Sequence, residues 1–199
     1  MERSHYASLP ARRMEPEATF QQPLLPEAKA VSLEDPALEV MTDFRRVRAL
    51  TVPAGATMQY AAGRMRANRV HLLLVVDDRN CVLGLITSTD IEGGKPVRLA
   101  HDRGLRREEI TVGDVMTPRE RLEVIDIEDL AHARVGHVVA TLKTVGRQHA
   151  LVVDRDPQGR QRVRGLLSAS QVGRQLGSPV QTVEVARNFA EVETALAHA

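Results

Sequence analysis

HLLLVVDDRNCVLGLITSTD, residues 71–90, is the stretch that decides the fold. Leu72 to Val76 is an apolar run too short for a helix. The charged turn Asp77-Asp78-Arg79-Asn80 follows, and Cys81 to Ile86 is a second apolar run. Two short apolar runs around a polar turn predict two buried strands. The second strand delivers Thr87, Ser88, Thr89 and Asp90 to one edge, three hydroxyls and a carboxylate in sequence. The plan recurs. His149-Ala-Leu-Val-Val-Asp154, a longer polar turn and Gly165-Leu-Leu-Ser-Ala-Ser-Gln171 repeat it, with Gln171 in place of Asp90.

The likeness extends outward in both directions. Val115-Met116-Thr117-Pro118 echoes Val40-Met41-Thr42-Asp43 at an offset of 75, Asp77 corresponds to Asp154 at 77, and Gly84 to Gly165 at 81. The drift comes from a longer second turn. Similarity in the same order marks a duplicated unit. Each unit has too few residues to bury a good core alone, so the two are expected to pack on each other.

Between these landmarks the local signals are ordinary. Asp35-Pro36 predicts a short helix over 37–41, and residues 49–53 a strand. Thr57 is placed to cap a helix with Met58, Ala61, Ala62 and Met65 on one face, and Thr87 or Ser88 to cap another. Gly93-Gly94 should break that helix after about one turn, with a restart over 96–103 closed by Gly104. Thr111-Val-Gly-Asp114 reads as a capping box, and residues 133–144 as the counterpart of the Thr57 helix. Near the end, Asn188 is a cap for a helix whose Phe189, Val192 and Leu196 form one apolar stripe.

The expected organisation is a Pro-rich arm over 1–34, repeat one over 35–104, repeat two over 105–177, and a helical tail over 178–199. The arm is expected to be flexible or extended, although Leu24, Leu25, Val31 and Leu33 could let its second half lie along the domain or a partner subunit. The 199 residues are 43% hydrophobic but only 3% aromatic, so Val, Leu, Ala and Ile must build the core. A net charge of +1 gives no field for nucleic acid or acidic lipid, and neither is expected as a partner. One cysteine, Cys81, excludes an internal disulfide. No apolar stretch approaches the roughly 20 residues of a membrane span. The expectation is a soluble, cytoplasmic protein.

Taken together, Val-Met-Thr before each repeat, Leu-Val-Val-Asp before each turn, and Gly-x-x-Thr/Ser-x-x-Asp at the second strand's end resemble the cystathionine-β-synthase (CBS) domain family. The resemblance is to a tandem pair, or Bateman module, over about residues 36–177. It implies an α/β (α+β) fold of two β-α-β-β-α units packed with pseudo-twofold symmetry. It further implies clefts that bind adenosine-containing ligands, and a flat, disc-like homodimer.

The chemistry of residues 87–90 agrees with that ligand class. A carboxylate can accept hydrogen bonds from both hydroxyls of a ribose, as in dinucleotide folds. Carried over from the family, Asp90 would bind ribose, and Thr87 and Thr89 ribose or phosphate. Leu85 and the Thr51-Val52-Pro53 strand would flank the base, and His71 would stand near phosphates. A second, weaker site would hold Ser168, Ser170 and Gln171, where an amide loses the charge-assisted bonds of a carboxylate. The bland reading of the same residues is a helix cap.

No cofactor is required on this reading, and AMP, ADP, ATP or S-adenosylmethionine is the expected regulatory ligand. No enzyme is expected, since no acid–base pair, metal set or activated nucleophile stands out. Asp126, Glu128 and Asp129 could hold Mg²⁺ but read better as a solvated loop leading into a helix, and His132 and His137, five apart, do not share a helical face as a metal-binding pair would. Arg45, Arg46 and Arg48, or Arg103, Arg106 and Arg107, could meet phosphates, but a solvated charged face is the better reading of each. The competing expectation is a ligand-free scaffold that recruits an unknown regulated protein through the arm and the Phe189 helix.

Overall fold

The computed structural model describes residues 29–182. The tail helix expected around Phe189 and most of the arm lie outside the described residues. A 3-10 turn at Ala37–Val40 leads into β1 (Met41–Asp43), β2 (Thr51–Pro53), α1 (Met58–Asn68), β3 (Leu72–Val76) and β4 (Val82–Thr87). Next come α2 (Ser88–Glu92), α3 (Gly94–Arg103), α4 (Val112–Val115) and β5 (Thr117–Pro118). The second half runs β6 (Val124–Asp126), α5 (Ile127–His132), α6 (Val135–Val145), β7 (His149–Arg155), β8 (Gln161–Ser168) and α7 (Ala169–Leu176). The class is mixed α+β.

The local signals act as expected. Thr57 Oγ1 accepts from the Tyr60 N–H at 3.1 Å and starts α1, whose Met58, Ala61 and Met65 are buried. In the first turn, Asp77 Oδ1 accepts from the N–H groups of Arg79 and Cys81 at 2.9 and 2.8 Å. The double glycine separates α2 from α3, and Gly104 closes α3 in the left-handed region at φ 62°. Several boundaries differ: α3 starts at Gly94 rather than at Pro96, β2 at Thr51 rather than at 49, α6 spans Val135–Val145 rather than 133–144, and the turn over 37–40 is 3-10.

Two four-stranded sheets form, ordered β2-β3-β4-β5 and β1-β8-β7-β6. Alternation along each strand splits the apolar residues between two faces. Leu73, Val75 and Ile86 turn to a core under α1 and α2, while Val152 and Leu167 turn to its counterpart under α6 and α7. Leu72, Leu74, Leu85 and Leu151 form a third buried cluster with Leu166 packed against it, where the two sheets meet. Leu-Leu-Leu-Val-Val is thus a strand buried on both faces.

The packing units cross the sequence repeats. The segment ahead of each repeat serves the other half: β1 pairs antiparallel with β8, and β5 with β4. Ala37 and Val40 are buried with the second core, and Ile110, Val112 and Val115 with the first. Val31, at the edge of the arm, packs on the second core and donates its N–H to Gln175 O at 2.9 Å. Two motifs that read separately in sequence are therefore spatial partners. Met-Thr of each leading segment lies across the glycine of the opposing strand, and a Cβ on Gly84 would strike the Thr117 carbonyl oxygen. A Cβ on Gly165 would lie 2.7 Å from the Thr42 carbonyl oxygen. Only glycine admits that approach.

The second seam carries more charge than the first. Arg164 donates to both Asp43 oxygens, at 2.9 and 2.7 Å, and this holds the Asp43 carboxyl down to about 2. The corresponding residues of the first seam are Leu83 and Pro118.

Candidate functional site

Both clefts start from a strand that ends in a helix cap. At the end of β4, Thr87 caps α2. Its N–H and Oγ1 donate to Asp90 Oδ2 at 3.0 and 2.9 Å, and the Asp90 N–H returns a bond to Thr87 Oγ1 at 3.2 Å. The cap reading of these residues is therefore correct, and it occupies one carboxylate oxygen. The other, Oδ1, faces Lys95 Nζ at 3.5 Å. Lys95 also donates to the carbonyl oxygens of Val115 and Met116, the C-terminal end of α4. A long, partly exposed ion pair of this kind contributes about 0–1 kcal/mol, so Oδ1 can exchange Lys95 for another donor at small cost.

Around Asp90 the two halves enclose a two-chamber cleft. The first chamber, about 120 Å³, is walled by Leu85, Thr87, Asp90 and Thr117 on one side and by Arg147, His149 and Leu151 on the other. The second, about 350 Å³, holds His71, Thr87, Ser88 and Thr89 opposite Ser170 and Arg174. Thr87, Gln148 and His149 border both chambers. Ligand pockets run to roughly 300–1,000 Å³, so the combined space is adequate for a nucleoside and more.

His149 sits at the junction. Burial pulls its pKa from the ordinary 6.5 down to about 4. The neighbouring His71 works in the same direction, and Asp90 opposes them. The imidazole is thus neutral at pH 7, able to donate one hydrogen bond and accept another.

Of the residues singled out in sequence, Leu85, Thr87 and Asp90 meet in the first chamber, and His71, Thr87 and Thr89 in the second. Val52 is instead 1% exposed inside the first core, and neither Thr51 nor Pro53 borders these chambers. The cleft beside Asp90 takes its flank from the opposite half, at Leu122 and Glu123, just ahead of β6.

Ser170, assigned in sequence to the second cleft, borders the second chamber here, and its Oγ lies 2.9 Å from that of Ser168. Gln171 turns elsewhere: its Oε1 accepts from Thr42 Oγ1 at 2.9 Å and ties α7 to β1. Sequence reasoning passed over Arg147, His149, Thr117 and Arg174. Register explains His149, because His149 opposes Ser168 as Leu72 opposes Thr87. The structural counterpart of His149 is therefore Leu72, and that of His71 is Gln148.

Residues 37–92 match the family model described as CBS domain. The chain contains a CBS domain. Its second half repeats the element order β-α-β-β-α, so the fold is that of a tandem CBS pair. An uncharacterized conserved protein from Pyrococcus horikoshii shares the fold, with a TM-score of 0.53 and 22% identity over 76% of this chain and 99% of that one. A CBS domain pair solved with 5′-methylthioadenosine and S-adenosyl-L-methionine is similar over 69% of this chain and 97% of its own, at 21% identity and a TM-score of 0.47. A CBS-pair protein of Arabidopsis thaliana, solved with AMP, is similar over 71% of this chain and 94% of its own, at 18% and 0.47. No curated protein matches the sequence. Among the described residues, no helix is long and apolar enough to cross a membrane.

Proposed function

We propose that this CBS pair is a regulatory module that binds an adenine nucleotide or related adenosyl ligand in the cleft beside Asp90. The observation that carries the reading is the two-chamber cleft itself. Asp90 Oδ1 stands at one end as an acceptor for a ribose diol, Leu85 and Leu151 offer apolar surface for a base, and hydroxyls and basic groups line the other end. Both halves of the chain contribute walls, so a ligand there favours one arrangement of the halves over another. It can regulate only in proportion to that difference in affinity. Lys95 gives the cleft a mechanical link, since a diol that takes Asp90 Oδ1 frees the cation bound to the end of α4. The module works as a homodimer that passes the change to another protein; Tyr60 on α1 and Val97 on α3, 55% and 58% exposed, offer apolar surface for such contacts.

Calorimetry and thermal shift with AMP, ADP, ATP and S-adenosyl-L-methionine test the reading. A ligand at 100 times its Kd should stabilise by about 2.7 kcal/mol. Asp90→Asn preserves an oxygen for the cap but removes the charge, and should weaken binding about tenfold. If no member of the panel binds, the second reading holds: a scaffold in which Lys95 permanently satisfies Asp90 and the module recruits proteins without a ligand.

A further inference from the structure

The two halves differ in where they place arginine and glycine around the second chamber. Arg69 ends α1 in the left-handed region, at φ 55°. Its counterpart at the end of α6, a helix of the same length, is Gly146 at φ 70°. Glycine takes this conformation freely, whereas a residue with a Cβ is strained in it. A non-glycine residue held there points to a use for its side chain.

Arg174 of α7 repeats the exchange in reverse. Counted from the caps Thr87 and Ser168, its counterpart in the first half is Gly93. Each half thus contributes one arginine where the other has glycine, and both border the same chamber.

The electrostatics of that chamber are one-sided. Its lining holds Arg69, Arg174 and His71 with Ser88, Thr89 and Ser170, and no carboxylate. Neither guanidinium makes a hydrogen bond or an ion pair among the described residues. A groove of about 510 Å³ shares Arg69, His71, Ser88 and Arg174 with this chamber, and there Arg66 adds a third cation and Glu92 is the one carboxylate. The acids Asp90 and Glu123 stand in the first chamber instead, beside Arg147, whose guanidinium donates to the Arg121 carbonyl oxygen at 2.9 Å. A ligand lying across both chambers meets both carboxylates at one end and, at the other, forked cations without a partner among the described residues.

We propose that Arg69 and Arg174 form a polyphosphate clamp, so that the ligand of this cleft is a nucleoside di- or triphosphate rather than a sulfonium or uncharged nucleoside. The inference rests on the cleft reading above and adds its charge class. Guanidinium forks suit phosphate oxygens in paired geometry. S-adenosyl-L-methionine would bring a sulfonium towards cations, and 5′-methylthioadenosine would leave them unused. Each further phosphate adds oxygens for a second guanidinium, so a di- or triphosphate can engage both arginines where a monophosphate has fewer to share.

The test is calorimetry without added Mg²⁺, using ATP, ADP, AMP, S-adenosyl-L-methionine and inorganic tripolyphosphate against four proteins: wild type, Arg69→Gly, Arg174→Gln and Asp90→Asn. Arg69→Gly places the second half's own residue in the first and should fold with an undiminished Tm. The expected result is ATP and ADP binding at least about tenfold tighter than AMP. That preference should weaken with salt and fall about tenfold in Arg69→Gly and Arg174→Gln. Equal affinity for S-adenosyl-L-methionine and ATP, or ATP binding unchanged in both arginine variants, overturns the clamp and leaves the cleft reading standing. ATP and tripolyphosphate binding that is lost with the arginines but indifferent to Asp90→Asn upholds the clamp and removes the ribose role. Failure of every probe, tripolyphosphate included, overturns both.

Discussion

The Asp90 cleft and its pseudo-symmetric partner at Gln171 stand at the same point of the same unit, yet their polar groups do different work. Asp90 spends one oxygen on its cap and leaves the other in a long, weak ion pair with Lys95. Gln171 spends its oxygen on Thr42 and fastens the exchanged strand β1. Around them the substitutions run the same way: His149 stands where the other cleft has Leu72, and Arg69 where the other half has Gly146. Duplication supplied two equal frames. One has kept an exchangeable acceptor, a neutral imidazole and unpaired cations, while the other uses its polar residues to hold the fold.

The largest effect should come from the feature the two halves share. Gly84→Ala and Gly165→Ala each force a Cβ onto the carbonyl of an exchanged strand, and overpacking of this kind costs about 1–3 kcal/mol. Gly84→Ala should be the more damaging, because β5 has two residues and no counterpart of the Asp43–Arg164 pair. Urea unfolding of both variants measures this, and a reversed order would show that the charged seam is the weaker one.

Next in size is ligand binding. Asp90→Asn should weaken the preferred nucleotide about tenfold, whereas Gln171→Glu should leave the stoichiometry at one per chain, because a glutamate there still accepts from Thr42. Appearance of a second site in the Gln171→Glu titration would mean that side-chain charge alone separates the clefts.

A smaller effect distinguishes the clefts by pH. Folded His149 takes up its proton near pH 4, well below the ordinary 6.5. Between those values the unfolded chain binds the proton and the folded one does not. Stability therefore rises with pH across that window, is fully present above it, and is lost as pH falls towards 4. His149→Leu, which writes the second cleft's residue into the first, should flatten the stability profile over pH 4–6.5. An unchanged slope would place the titration elsewhere.

The sequence disclosed what is local and periodic. Leu-Val-Val-Asp beside Gly-Leu-Ile-Thr announced a strand pair, Thr57 and Thr87 announced caps, and repetition announced the second unit. The strand exchange was not legible, because β1 with β8 and β5 with β4 pair across the chain and nothing in Val-Met-Thr names its partner. For the same reason Thr51-Val52-Pro53 was set beside Asp90, although that cleft draws its flank from the opposite half, at Leu122 and Glu123. His149 was passed over because nothing in its sequence context marks it as part of a site, whereas the hydrogen-bond register places it at the cleft where the other half has Leu72. Arg69 carries no signal in the sequence, and only its backbone, in a conformation that suits glycine, singles it out.

The most direct test of the asymmetry is a crystal structure of the chain grown with saturating ATP. The expected density is one nucleotide per chain, its ribose on Asp90 and its phosphates between Arg69 and Arg174, with the Gln171–Thr42 bond intact and nothing bound beside it. Density beside Gln171, in both clefts equally or in neither, would contradict the division of labour between the two halves.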